Sequence, residues 1–184
     1  MFNSSLCLLF DTNVWLEKYL PWRTDHDIVL ALLREARLQE VSIAFPAQSA
    51  LDVYQRVRIE NKRWAREQGR LDEPMARAIK RLAWDCVNDM REIATAVPVD
   101  SSDFYMACKH RDIHDDLEDD LVLAACQRAH ASHLVTIDRK LLAHSPVEAV
   151  TPKKMLELLR AGIAHGVPTP TENSDYLLAW LKTL

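Results

Sequence analysis

Glycine is scarce: Gly69, Gly162 and Gly166 are the only three in 184 residues. A GxGxxG dinucleotide turn and a GxxxxGKS/T phosphate loop both need closely spaced glycines. Dinucleotide oxidoreductases and P-loop NTPases are therefore excluded. The four cysteines, Cys7, Cys86, Cys108 and Cys126, form no CxxC pair. Three of them lie in apolar helix or strand patterns, where a free thiol packs as a small hydrophobe, so a reducing cytoplasm is the expected compartment. Long apolar runs are missing too. Nothing approaches the ~20 residues of a membrane span, and the first apolar run lacks a positive flank and is cut by Asp11, so no membrane association and no export are expected. Finally, no charge sign dominates. A net charge of -4 is mild, so partners must be sought where charges cluster.

They cluster twice. Between Arg56 and Arg81 nine Lys/Arg stand against four acids, and from Asp100 to Asp120 eight acids face only Lys109 and Arg111. The length suits one domain with a short appendage. We place the domain at 1–160 and read 161–184, with Pro168 and Pro170, as a linker followed by an amphipathic helix from Tyr176.

Along the chain, apolar runs ending in polar residues alternate with helical periodicity. Leu6 to Phe10 runs straight into Asp11 and reads as a buried strand, and "VSIAF" at 41–45, closed by Pro46, as a second. "AVPV" at 96–99 is a weak third, and "HLVTID" at 133–138 a fourth. Between them the spacing predicts helices over 13–20, around Ile28 to Ala36, and from Ala47 to a break near Gly69. Others restart at Asp72-Glu73-Pro74, at Ser101 or Ser102, and over 115–129, where positions 117, 121, 124 and 125 share a face. Strands alternating with helices argue for a parallel sheet covered on both faces, a three-layer α/β/α architecture.

In such sheets the functional crevice lies beyond the carboxyl ends of the strands. Asp11 and Asp138 both sit there. Asp119 reaches similar height, because a helix of roughly 12 residues descends about 18 Å at ~1.5 Å each. The following strand climbs about 20 Å at ~3.3 Å per residue. Asp52, in the first two turns after the second strand, makes a fourth. Two carboxylates ~4 Å apart repel by roughly 4 kcal/mol at an effective dielectric of ~20, so such a group needs a cation. All-oxygen donors suit Mg²⁺ or Mn²⁺ rather than zinc, and such ions activate water for phosphodiester hydrolysis. Each acid also has a plainer role open to it: Asp11 and Asp116 as helix caps, Asp138 as a turn residue, Asp52 as a surface helix acid, and Glu118, Asp119 and Asp120 as charges favouring a helix start. No histidine is assigned to catalysis.

"LLFDTNVWL", "FPAQSALDVY", "DLEDDLVLAAC" and "HLVTIDRKLL" resemble, in order and spacing, the four motifs of the PIN-domain ribonucleases, the fold of VapC-type toxins. "VTPKKMLELL" at 150–159 resembles the usual close of that domain. The resemblance implies Mg²⁺- or Mn²⁺-dependent RNA cleavage by catalytic residues Asp11, Asp52, Asp119 and Asp138. Asp11 and Asp119 would be direct metal ligands, with Asp138 and Asp116 completing the set and Asn13 and Thr136 beside it. It also implies a cognate antitoxin protein. The alternatives are a PIN nuclease of RNA processing and a degenerate PIN domain that binds RNA or protein without cutting. The second is kept by Asp52, one methylene shorter than the family's Glu. The segment from Tyr54 to Val97 and the residues after about 161 are additions to the family pattern. Arg56, Arg63 and Arg70, spaced by seven with Trp64 among them, are the expected RNA-binding side chains. The apolar tail around Leu177, Trp180 and Leu181 points to a homodimer.

Overall fold

The apolar run before Asp11 forms β1 (Cys7–Phe10), and four later segments lie parallel in the same sheet: β2 (Ser42–Pro46), β3 (Thr95–Val97), β4 (His133–Val135) and β5 (Ala149–Val150). Between and after them come α1 (Thr12–Tyr19), α2 (His26–Leu38), α3 (Ser49–Glu67), α4 (Glu73–Ile93), α5 (Ser101–His110), α6 (Leu117–Arg128), α7 (Arg139–His144) and α8 (Pro152–Arg160). The computed structural model describes residues 6–110 and 116–162, the side chains of 106, 109 and 110 excepted. The proposed terminal helix and dimer-forming tail lie outside the described residues.

The strand order is β3-β2-β1-β4-β5. The chain steps outward from β1 through β2 to β3, then returns to the other side of β1, so the direction of winding reverses between β1 and β4. A crevice opens at such a point, outside the strands' carboxyl ends. Alternation along the strands builds two cores. Leu8, Phe10, Ile43, Phe45, Val135 and Val150 face one layer, with Val14 and Trp15 of α1, Leu32 of α2, Val53 of α3, Met90 of α4 and Met155 of α8. Leu9, Ala44, Val97 and Leu134 face the other, against Val122 and Cys126 of α6 and Leu141 of α7. This is the three-layer α/β/α arrangement expected from the alternation of strand and helix patterns.

Local signals set the helix limits. Asp72 accepts the Met75 N–H at 2.8 Å to start α4, beside Pro74. Gly69, at φ +64°, ends α3, with its own N–H on the Arg66 carbonyl and that of Arg70 on Ala65. The fourth strand is shorter than its sequence pattern. It ends at Val135, because Thr136 and Asp138 turn their side chains to other bonds described below. The short α7 and β5 were not anticipated. Among the described residues no helix is long and apolar enough to cross a membrane, and all four cysteines are free.

His133 opens β4 fully buried, and among the described residues neither ring nitrogen has a hydrogen-bond partner. The nearest charge is the Glu148 carboxylate, 3.6 Å from Nε2. Burial holds the imidazole below its ordinary value of 6.5, although Glu148 opposes the shift. The unfolded chain therefore takes up a proton first, and stability is lost as pH falls from about 6.5 towards the lowered folded value. His133→Leu is expected to remove this acid loss and, by deleting an unsatisfied buried donor, to stabilise the chain by about 1 kcal/mol at pH 7. Urea unfolding at pH 5.5 and 7.5 checks both effects; an unchanged difference between the two pH values in the variant would disprove the assignment.

Candidate active site

Asp11 leaves β1 with its backbone still in the ladder, its N–H on the Val135 carbonyl at 3.1 Å. Its side chain then turns in to start α1. Oδ1 accepts the Thr12 N–H at 2.6 Å, while Oδ2 accepts from Asn13 Nδ2 at 2.5 Å and from the Thr136 hydroxyl at 2.7 Å. The residue is only 5 % exposed. Asn13 spans the winding reversal: its amide also donates to Thr136 Oγ1 at 3.2 Å, and its Oδ1 accepts the Ile137 N–H at 3.2 Å. Thr136 Oγ1 accepts the Asp138 N–H at 3.0 Å. Asn13 and Thr136 thus hold the ends of β1 and β4 together around one carboxylate.

The other acids arrive on helix starts. Asp138 caps α7, accepting from the N–H groups of Lys140 at 2.7 Å and Leu141 at 3.2 Å. Asp116 caps α6, accepting from those of Glu118 and Asp119. Asp52 lies in the first turn of α3, half-buried. The start of α3 is tied to that of α1 by the Thr12 hydroxyl, which donates to Ser49 Oγ at 2.8 Å deep in the core. The plainer capping roles of Asp11, Asp116 and Asp138 are thus all real. They coexist with convergence, since a helix start aimed at the crevice delivers its cap there.

Electrostatics shows which charges share the crevice. Burial raises the Asp11 carboxyl to about 6 against the hydrogen bonds of Thr136 and Thr12, and the charges of Glu118 and Asp138 push the same way. Burial also raises Glu118, with further contributions from Asp52, Asp116 and Asp119, while Arg56 opposes. Asp52 is raised by burial and eased by Arg56. Glu118 is thus an α6 acid whose charge reaches Asp11, with Asp119 adding its charge beside it; sequence reasoning gave Glu118 only the role of a charge favouring the helix start. The reason is the phase of α6. Its buried positions are Leu121, Val122, Ala125 and Cys126, whereas Leu117, expected on the apolar face, is half exposed. Glu118 precedes Val122 and Ala125 by four and seven residues, the stripe that meets the sheet. That i, i+4, i+7 spacing was the available signal.

A divalent-ion site can be tested against this arrangement. The donors are all carboxylate oxygens, the set a hard cation prefers. Among the described residues Asp11 Oδ1 accepts one hydrogen bond, from the Thr12 N–H, so a lone pair is left for a cation. Among the described residues, however, no three His, Cys, Asp or Glu side chains are grouped closely enough to hold a metal ion. The acids share a field rather than a closed cage. Of the expected RNA contacts, Arg56 stands beside the acids; Arg63 is exposed and paired to Glu67 at 3.0 Å, and Arg70 is exposed where α3 ends.

These features define a class: an α/β/α protein with one buried carboxylate, Asp11, and further acids at half-buried or exposed positions around the winding reversal of a parallel sheet. No protein-family model matches the chain, and no curated protein matches it either.

Proposed function

We propose that the chain is a metal-dependent ribonuclease of PIN-domain type that hydrolyses RNA phosphodiester bonds, and that it acts as the toxin of a toxin-antitoxin pair with a cognate antitoxin protein. One observation carries the catalytic part: acids far apart in the chain act on one another electrostatically, Glu118 and Asp138 on Asp11 and Asp52 on Glu118. The toxin role is supported by the motif resemblance alone.

Asp11, Glu118, Asp119 and Asp138 would hold Mg²⁺ or Mn²⁺, with Asp116 behind them. When bound, such an ion supplies positive charge to a phosphate and to an attacking water. The protein's own work is positional and acid-base. Thr136 and Asn13 fix the Asp11 carboxylate at both strand ends. Glu118, raised by burial and by its acidic neighbours, is a stronger base than an ordinary carboxylate and so better suited to accept a proton from water. Arg56 tempers the repulsion at Asp52 and Glu118 and presents a cation to the phosphate backbone.

A second reading, binding without cleavage, is supported by the lack of a closed three-acid group among the described residues and by the short reach of Asp52. The two readings part in one assay, with labelled single-stranded RNA incubated with the chain in Mn²⁺, Mg²⁺ or EDTA. We expect cleavage in either metal and none in EDTA, and a loss of roughly 10²-fold or more in Glu118→Gln. RNA left intact by the parent protein in both metals would favour the binding reading.

A further inference from the structure

The α3–α4 hairpin supplies a surface that the acidic crevice does not use. Its base joins the core through Val53, Val57, Ala83, Cys86 and Met90, while Ala65 and Ile79 are buried outside both core clusters. The hairpin therefore reaches past the sheet. At ~100° per residue, Asp52, Gln55, Arg56, Ile59, Lys62, Arg63 and Arg66 share an outward sector about 120° wide, away from buried Val53, Val57 and Ala65. Beyond Asp52 this sector holds no acid, and Arg70 follows at the end of the helix.

Of the acids nearest the tip, Glu60 pairs with Arg23 at 3.0 Å and Glu73 with Arg77, Asp72 caps α4, and Glu67 pairs at 3.0 Å with Arg63 of the stripe itself. Beside the stripe a shallow recess of about 280 Å³ is lined by Gln55, Arg58, Ile59 and Lys62. Arg58 lies 5.1 Å over the Tyr54 ring, which is 5.2 Å from that of Trp84. Among the described residues Arg58 Nε has no hydrogen-bond partner, and Trp84 is 53 % exposed. The stripe begins at Arg56, whose charge acts on Asp52 and Glu118.

We infer that the outer face of α3 is a track for single-stranded RNA, running from the acidic crevice to the hairpin tip, with the recess at Arg58 and Lys62 seating a base beside the backbone. A row of cations along one helix follows one phosphate chain, and an apolar and guanidinium-lined hollow accepts any base by stacking. From Arg56 to Arg66 the cations span about 15 Å at ~1.5 Å per residue, room for several consecutive phosphates of one strand. That the strand leads to the crevice rests on the nuclease reading; its binding to the helix does not.

The test is fluorescence anisotropy of the full chain with labelled oligouridylates of roughly 4, 8 and 12 nucleotides, in EDTA so that nothing is cut. Affinity is expected to rise to about eight nucleotides and then level. Three or four phosphate contacts give a slope of log K against log salt of roughly -2 to -3. Lys62→Glu with Arg66→Glu should weaken binding at least ~10-fold and flatten the slope by about 1.4. Arg37→Glu with Lys153→Glu, an equal charge change at exposed positions of α2 and α8, should change affinity less than ~2-fold. Equal weakening in the two double variants, or no salt-dependent binding by the parent, overturns the track. Binding without cleavage in metal leaves the track standing and removes the nuclease. Cleavage at limiting RNA that the Lys62/Arg66 variant does not impair removes the track and keeps the nuclease.

Discussion

Asp11→Asn is expected to lower metal-dependent RNA cleavage on the order of 10³-fold or more, while making the folded chain more stable at neutral pH. Both effects have one cause. The carboxyl is raised from 3.8 to about 6 in the folded chain, so the folded state holds its proton more tightly than the unfolded one. The stability this contributes is present below about 3.8 and is lost as pH rises through about 6. Above that, the buried charge costs on the order of 3 kcal/mol for a shift of about two units. Asparagine removes that cost. It also turns an N–H₂ towards the Asn13 amide and the Thr136 hydroxyl, where an acceptor stood, which returns about 1–2 kcal/mol. The net gain at pH 7.5 is about 1–2 kcal/mol, or roughly 2–8 °C in Tm for a chain of this size. At pH 4.5 it should vanish or reverse. Thermal unfolding in EDTA at the two pH values measures this directly; a variant less stable than the parent at pH 7.5 would refute the account of Asp11 as a strained buried charge.

The same tension explains what could be read from the residues alone. Strain at a functional site is visible as a polar group where an apolar one is expected, and Asp11 closing a five-residue apolar run is such a place. The layered fold was legible for the ordinary reason that its strands are short apolar runs with polar ends. β5 and α7 escaped because two and six residues carry no period; pairing of Leu134 with Ala149 and Val135 with Val150 makes β5 a strand. "HLVTID" was overlong as a strand because alternation continues through Thr136 and Asp138, and nothing in it shows that Thr136 serves Asp11 while Asp138 caps α7. Asp119 was taken from its place in the third motif and its height at the rim, neither of which separates it from Glu118. Neighbouring helix positions point about 100° apart, so choosing among 118, 119 and 120 needs the packing of Val122 and Ala125 on the sheet. The basic stripe was visible as Arg56, Arg63 and Arg70, whereas Lys62, Arg58 and the recess between them required the hairpin.

Trp15→Ala should cost the most stability of any single change considered. Trp15 is fully buried, with ring centroids 5.6 Å from Phe10, 5.7 Å from Phe45 and 6.3 Å from Tyr19, so it ties α1 to β1 and β2. Emptying that volume should cost about 3–5 kcal/mol, which is roughly 6–20 °C in Tm at this chain length. Its indole N–H has no partner among the described residues, a liability of about 1–3 kcal/mol already present in the parent. Trp15→Phe sheds that liability along with part of the volume, so its cost should stay below about 2 kcal/mol. The pair also separates packing from positioning. An eight-residue helix such as α1 is too short to hold itself; its seat on the core sets where Thr12 and Asn13 meet Asp11. Where Trp15→Ala is still folded by circular dichroism, its cleavage should fall with its stability while Trp15→Phe keeps most activity. Full activity in folded Trp15→Ala would mean that the Asp11 network holds its geometry without the core beneath it.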